Sequence, residues 1–515
     1  MTNTPPAQIK HHGMITLSIM LATIMQVLDT TIANVALPSM QGDLGASQDT
    51  ISWVLTSYIV ASAIMTPVTG WLADRFGRKE LYLASIFGFV ISSMLCGIAN
   101  GLDEMVMFRI IQGISGAALV PLSQSVLLDI NPKERHGQAM AMWGAGIMVG
   151  PIIGPTLGGW LTDALSWRWV FFINLPVGII AFLGIAAFMP EVDKRRRPFD
   201  VFGFTMLSLA VGGLQLMLDR GEQLEWFASW EIIIELGVII SAIWIFVIHT
   251  LTAEHPFIDP HIFKDRNFVT GSIFIFTIGI VLLATMALLP PILQTLMGYP
   301  ITTTGLVMMP RGVGTMVSMI LVGRLMRVVD ARLLILTGLL LTSFSLYQMT
   351  QFTIVMSATP LVISGVVQGL GLGLVFVPMS TIAFATLPPR FRTDGSALFS
   401  LVRNIGSSIG ISIVITFLAR NTQAMHSSLV SNITPYSLPT RQFAETMGLS
   451  VTSPEFLAQM NGAVTRQSLM VAYLDDFYLM MFITLAAAPL LFILKSPNAK
   501  PATKAPPSAA AADAH

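Results

Sequence analysis

Fourteen separate stretches of this chain are each apolar over about 20 residues, the length one α-helix needs to cross a lipid bilayer. They fall at 14–36, 51–72, 80–99, 104–128, 136–160, 169–189, 201–219, 230–251, 268–290, 303–325, 332–351, 358–384, 396–418 and 471–493. A soluble domain carries roughly 25% charged residues, whereas this chain carries 11% and is 54% hydrophobic. Lipid must therefore be the solvent for most of it, and the expected fold class is all-α integral membrane. The first apolar run leads straight into Asp29 with no small-residue cleavage pattern, so it is expected to be a retained helix and not a cleaved signal peptide. The single cysteine, Cys96, allows no disulfide framework and reads as a small core residue.

Formal net charge is zero, but the charges are sorted by position. Every second loop is basic: Arg75, Arg78 and Lys79; Lys133 and Arg135; Lys194, Arg195, Arg196 and Arg197; Lys264 and Arg266; Arg324, Arg327 and Arg332; Arg390 and Arg392; then Lys495, Lys500 and Lys504 in the tail. The intervening loops carry Asp43, Asp49, Asp103, Glu104, Glu222 and Glu225. Positive loops stay in the cytoplasm, which puts both termini there and the 419–470 loop outside. The expected setting is the cell inner membrane, crossed many times.

The chain also echoes itself. Gln112-Gly113 and Val120-Pro121-Leu122-Ser123 in the fourth segment answer to Gln368-Gly369 and Val377-Pro378-Met379-Ser380 in the twelfth. Gly137-Gln138-Ala139 answers to Gly395-Ser396-Ala397. The offset is eight helices where a plain duplication of twelve would give six. Two extra helices are thus expected between two six-helix halves, a transporter architecture with its site at the interface of the repeats. The expected divisions are a tail 1–13, a first half 14–189, an insertion 190–267, a second half 268–493 and a tail 494–515.

Two motifs carry chemistry. The second loop reads Gly70-Trp71-Leu72-Ala73-Asp74-Arg75-Phe76-Gly77-Arg78-Lys79. Its glycines permit close approach and a tight turn, Asp74 can face a helix N-terminus or a cation, and Arg75 and Arg78 anchor the cytoplasmic face. A degenerate copy, Gly323-Arg324-Leu325, stands in the second half. The fifth segment carries Gly144, Gly146, Gly150-Pro151, Gly154-Pro155 and Gly158-Gly159. Prolines bend a helix and glycines let a neighbour pack close, so the seam either holds the outward path shut or is a packing motif without direction.

The second loop resembles the signature loop of the major facilitator superfamily, and the fifth segment resembles the motif of its proton antiporters. With Leu28-Asp29-Thr30-Thr31 and Leu214-Gln215-Leu216-Met217-Leu218-Asp219-Arg220-Gly221, the chain is similar to the fourteen-helix drug/proton antiporters, the EmrB/QacA group, and within it to the EmrB branch. The resemblance implies a major facilitator fold and proton-coupled multidrug efflux of small hydrophobic or amphiphilic compounds by alternating access. In Gram-negative cells it also implies a periplasmic adaptor protein and an outer-membrane channel, together forming a tripartite pump.

Ionisable groups inside a membrane are costly and mark function. Asp29 and Arg109 lie at similar depths from the outer face, roughly 10 Å and 8 Å at 1.5 Å per residue, so they are able to pair. A carboxylate beside an arginine is stable as the anion, and with the arginine withdrawn a buried carboxylate takes a proton. The pair is read as the proton-coupling site, with a permanent structural ion pair as the alternative. The resemblance adds that Phe108-Arg109-Ile110-Ile111-Gln112-Gly113 matches a motif associated with proton coupling. Arg311 and Arg403 are the other intramembrane charges, facing either an anionic substrate or a backbone carbonyl. Gln26, Trp53, Tyr58 and Gln124 are further candidates to line the substrate cavity, or to serve as packing and interfacial anchors.

Other chemistries find little support. No Gly-x-x-x-x-Gly-Lys-Ser/Thr loop is present for ATP. His255 and His261 lack a zinc pattern, no nucleophile–base arrangement is legible, and neither a metal, another cofactor nor a nucleic-acid partner is expected. The proton gradient is the expected energy source. The alternatives are a proton-coupled nutrient symporter of the same fold, and a membrane enzyme or interaction protein.

Overall fold

The computed structural model describes residues 11–47, 50–191, 194 and 198–494, and these contain helices and turns but no strand. Fourteen helices are long and apolar enough to cross a membrane: α1 His12–Asp43, α2 Trp53–Phe76, α3 Arg78–Ile98, α4 Leu102–Ile130, α5 His136–Ala164, α6 Trp169–Phe188, α7 Val201–Arg220, α8 Trp230–Thr252, α9 Arg266–Leu296, α10 Thr302–Leu325, α11 Ala331–Met349, α12 Ala358–Ala385, α13 Pro389–Ser431 and α14 Pro454–Phe492. Asp49, the run Arg195–Arg197 and the lysines Lys495, Lys500 and Lys504 lie outside the described residues, as do most of both tails. Most of the described Lys and Arg side chains gather at alternate junctions, here called the basic end, with Arg168, Arg220, Arg420, Arg441 and Arg466 at the other.

Proline placement explains the irregularities. The regular α-helix of α5 is interrupted at Met148, because Pro151 has no N–H to offer the Ile147 carbonyl. A 3₁₀ turn spans Thr66–Val68 around Pro67 in α2, and Pro290-Pro291 precede a π-helical turn at Ile292–Leu296 in α9. Elsewhere the chain overrides proline: α1 runs on through Pro38 to Asp43, beyond the end expected near residue 36. Met40 on the far side of that proline is fully buried, and its packing holds the last turns in place.

Helices α1 to α6 pack on one another, α9 to α14 form a second set, and α7 pairs with α8. The inserted pair leans on both sets through α7 and the turn that follows it. Thr56 donates to Asp219 at 2.5 Å, Ser408 to Gln215 at 2.9 Å and Trp226 Nε1 to Thr416 at 2.9 Å. Helix α8, the least buried of the fourteen, presents its apolar side chains outward.

The 419–470 stretch, expected as a loop, is largely helical. Helix α13 continues to Ser431, a short helix spans Leu438–Thr446, and α14 begins at Pro454. The 40 residues from Arg392 to Ser431 reach about 60 Å at 1.5 Å per residue, roughly twice the hydrocarbon thickness. The two polar extensions hold each other through Asn421 with Asp475 at 3.3 Å and His426 with Asn461 at 3.0 Å. Hydropathy identifies only the part of a helix that meets lipid, so these extensions were invisible to it.

Candidate functional site

The first six helices enclose a polar cluster with no access to solvent. Asp29 on α1 and Arg109 on α4 are both completely buried, with Oδ2 and Nη1 2.7 Å apart. The other carboxylate oxygen accepts from Asn174 Nδ2 of α6 at 2.7 Å and from Gln112 Nε2 at 3.0 Å. Gln112 lies one helical turn beyond Arg109, so its Oε1 also accepts from Arg109 Nη1, at 2.7 Å. Arg109 Nε donates to the Val54 carbonyl of α2 at 2.9 Å, and Asn174 also donates to Ser93 of α3 at 2.9 Å. The guanidinium carbon lies 4.4 Å from the centre of the Tyr58 ring and 5.7 Å from that of Phe171, within cation–π range. Gln26 donates to the Tyr58 hydroxyl at 3.4 Å.

Five helices thus converge on one carboxylate with three donors, one of them cationic. The carboxylate meets its cation on a different helix from its own. Glycines allow such close packing. A Cβ on Gly150 of α5 would lie 2.7 Å from Val27 Cγ1 and 3.2 Å from the Leu28 nitrogen, and one on Gly154 would lie 2.9 Å from Thr31 Cβ. Gly146 and Gly158 meet Met20 and Ile32 in the same row. The motif face of α5 therefore presses on α1 beside Asp29. The opposite face meets α10, where Gly312 packs on Ile152 and Gly305 on Thr156 and Pro155.

The basic end is closed by contacts between the two sets. Gly70 lies against Asp394 of α13 and Gly323 against Ala141 of α5, so the loop motif and its degenerate copy do equivalent packing. Arg78 pairs with Asp129, and Asp129 pairs in turn with Arg392 of α13 at 2.5 Å. Ser125 meets Thr393 at 3.0 Å, and Ser396 donates to the Pro121 carbonyl at 2.9 Å. Gly77 takes φ +98°, open to glycine at little cost, in the turn that starts α3. Asp74 is half-buried and Arg75 exposed.

A sequence profile described as the Major Facilitator Superfamily matches residues 19–411. The chain belongs to the major facilitator superfamily. It is 38% identical over 483 residues to the multidrug export protein EmrB of Haemophilus influenzae, covering 92% of this chain and 94% of that one. It is 36% identical over 497 residues to the fatty acid resistance protein FarB of Neisseria gonorrhoeae, covering 96% and 98%. Among solved structures it superimposes on the human organic anion transporter MFSD10 (TETRAN) with TM-score 0.62 at 15% identity, covering 93% of this chain and 100% of that one. This superfamily chain is therefore a multi-pass membrane protein of the transporter fold.

The remaining candidates fall apart in space. Gln26 and Tyr58 join the Asp29 cluster, whereas Gln124 is buried toward the basic end, its Nε2 4.0 Å from the Met140 sulfur. Arg311 sits in the second set, donating Nη2 to the Leu282 carbonyl at 3.2 Å and to Thr285 at 3.1 Å. Arg403 is only partly exposed on α13, and the backbone at its carbonyl is pressed by Gly279. The internal repeat is visible in these contacts. Gly113 faces the Tyr58 carbonyl, and Gly369 likewise faces that of Arg311. Gly365 then stands where the first set has Arg109, and Gln368 finds no hydrogen-bond partner among the described residues. The second set thus lacks a copy of the Asp29–Arg109 pair.

Sequence reasoning missed several participants. Asn174 and Ser93 are single polar residues in apolar runs, and only their position relative to Asp29 gives them meaning. Asp219 was noticed as part of a motif, but its bond to α2 was not legible. Asp475 and Asp476 lie within the expected 471–493 span, so Arg311 and Arg403 are not the only further charges there. That signal was present in the sequence, as two acidic residues inside an apolar run.

Proposed function

We propose that this protein is a proton-coupled multidrug exporter that moves small hydrophobic or amphiphilic compounds out of the cell by alternating access. The observation that carries the reading is the fully buried Asp29–Arg109 pair, a titratable group whose partner sits on another helix. The relatives that match over nearly their whole length carry export and resistance names, which weighs against the nutrient-symporter alternative. The distribution of Lys and Arg supports a cytoplasmic basic end, in the inner membrane.

In the mechanism, the arrangement with the basic end closed is read as the outward-facing one. Separation of Asp29 from Arg109 makes the buried anion unstable, and a proton from the outer side neutralises it. The protonated state favours opening of the basic end. Re-forming the ion pair expels the proton inward and restores the outward-facing arrangement, so the gradient drives the cycle without any cofactor. The helical extension of α13 and α14 stands on the outer side, where a periplasmic adaptor protein docks and continues the path to an outer-membrane channel.

The test is dye accumulation in everted membrane vesicles containing the protein. Accumulation should require an inside-acid pH gradient and collapse when the gradient is dissipated. Accumulation that persists without a gradient, or dye movement in the opposite direction, would sink the proposal.

A further inference from the structure

We infer that Asp476 is a second proton-exchanging carboxyl, set among the C-terminal helices and separate from Asp29. It is fully buried on α14, and neither of its oxygens has a hydrogen-bond partner among the described residues. Its neighbours on α14, the buried phenol Tyr473, which carries no positive charge, and Phe477, belong to an apolar cluster with Leu346 and Phe352 at the end of α11, Ile280 of α9 and Val414 of α13. The Phe352 and Phe477 rings are 6.1 Å apart at their centres. A fully buried carboxylate that no cation or donor reaches is not stable as the anion, and a proton neutralises it.

The titratable groups on the packed elements do not supply the missing charge. On α14 itself, Arg466 donates to the Leu296 carbonyl at 2.9 Å, Tyr478 is exposed and Glu455 lies at the far tip. On α13, Arg420 is exposed and His426 is engaged with Asn461. Tyr347 of α11 is exposed, and the 292–296 turn carries no ionisable group. Arg266, Arg332, Arg392, Asp394 and Arg403 belong to the parts of these helices nearer the basic end. The charge next to Asp476 in the chain is Asp475, of like sign, so it supplies no counter-charge either.

Asp475 also offers a way out. It is half-buried and accepts from Asn421 Nδ2 of α13 at 3.3 Å, just beyond the apolar part of that helix. A small slide of α13 along α14 would bring Asn421, with outer-side water, to Asp476 and let its proton leave. The protonation stands on geometry alone, and only its place in transport rests on the proton-driven reading above.

Infrared pH titration of the purified full chain in lipid nanodiscs tests both parts. The wild type should show a protonated carboxyl band that disappears on alkalinisation. The band should be absent in Asp476→Asn, retained in Asp29→Asn and displaced in Asp476→Glu, which guards against misfolding. Proton uptake per protein after a jump from alkaline to neutral pH should fall in Asp476→Asn. An Asp476→Asn spectrum matching the wild type, a band that never titrates, or unchanged proton uptake overturns the inference. Loss of gradient dependence in Asp29→Asn alone, with Asp476→Asn normal in every readout, would keep the exporter reading and remove Asp476 from it.

Discussion

Asp29 and Arg109 lie 80 positions apart in the chain and meet at 2.7 Å, with neither side chain exposed to solvent. Breaking a buried ion pair by removing one partner costs about 3–5 kcal/mol, because the other charge is left uncompensated. The pair thus ties α1 to α4.

Asp29→Asn should abolish gradient-driven efflux while leaving ligand binding intact, since the amide keeps the shape but carries no exchangeable carboxyl proton. Arg109→Ala should leave Asp29 unpaired, so this variant should be more stable at acidic than at alkaline pH. Efflux assays and melting curves across pH read both effects. Normal gradient-driven pumping by Asp29→Asn would move the coupling site elsewhere.

Gly150→Leu and Gly154→Leu should insert and fold but lose transport. The Cβ alone would crowd Val27 and Thr31, and the full side chain must push α1 away from α5 beside Asp29. Surface expression with efflux at background is the expected pattern. Retained efflux would show that the α1–α5 contact tolerates separation.

Arg392→Ala should loosen the closed basic end by removing the Asp129 bond at 2.5 Å. A cysteine at Ser125, buried against Thr393 in the parent, should then react several-fold faster with a polar maleimide in everted vesicles. Equal labelling rates with and without Arg392 would mean that the charge bridge does not hold this end shut.

Cysteines at Ser450 and Glu254 should report opposite sides, because alternate loops are basic. In intact cells a membrane-impermeant reagent should label position 450 and spare 254, with the buried Cys96 silent. The reverse pattern would invert the orientation. Deletion of the Leu438–Thr446 helix should leave the protein inserted but abolish co-purification with a periplasmic adaptor, and unchanged co-purification would place that contact elsewhere.

The fourteen spans, the alternation of basic loops and the repeat linking Gln112-Gly113 to Gln368-Gly369 were all determined by the sequence alone, since each follows from local composition and spacing. Lipid makes them legible, because every spanning stretch must be apolar and helical. Even Asp29 and Arg109 stood out individually as charges in apolar runs. Only the tertiary structure decided that Asn174, Ser93 and Gln112 complete their cluster, and that Gly150 and Gly154 press on α1 from the same side. It alone decided that Arg311 has no carboxylate partner like that of Arg109. The helical course of α13 to Ser431 was likewise its decision. The physical reason is common to all of these. Which face of a helix meets which neighbour depends on contacts between residues far apart in the chain, and outside lipid no hydropathy signal marks where a helix continues.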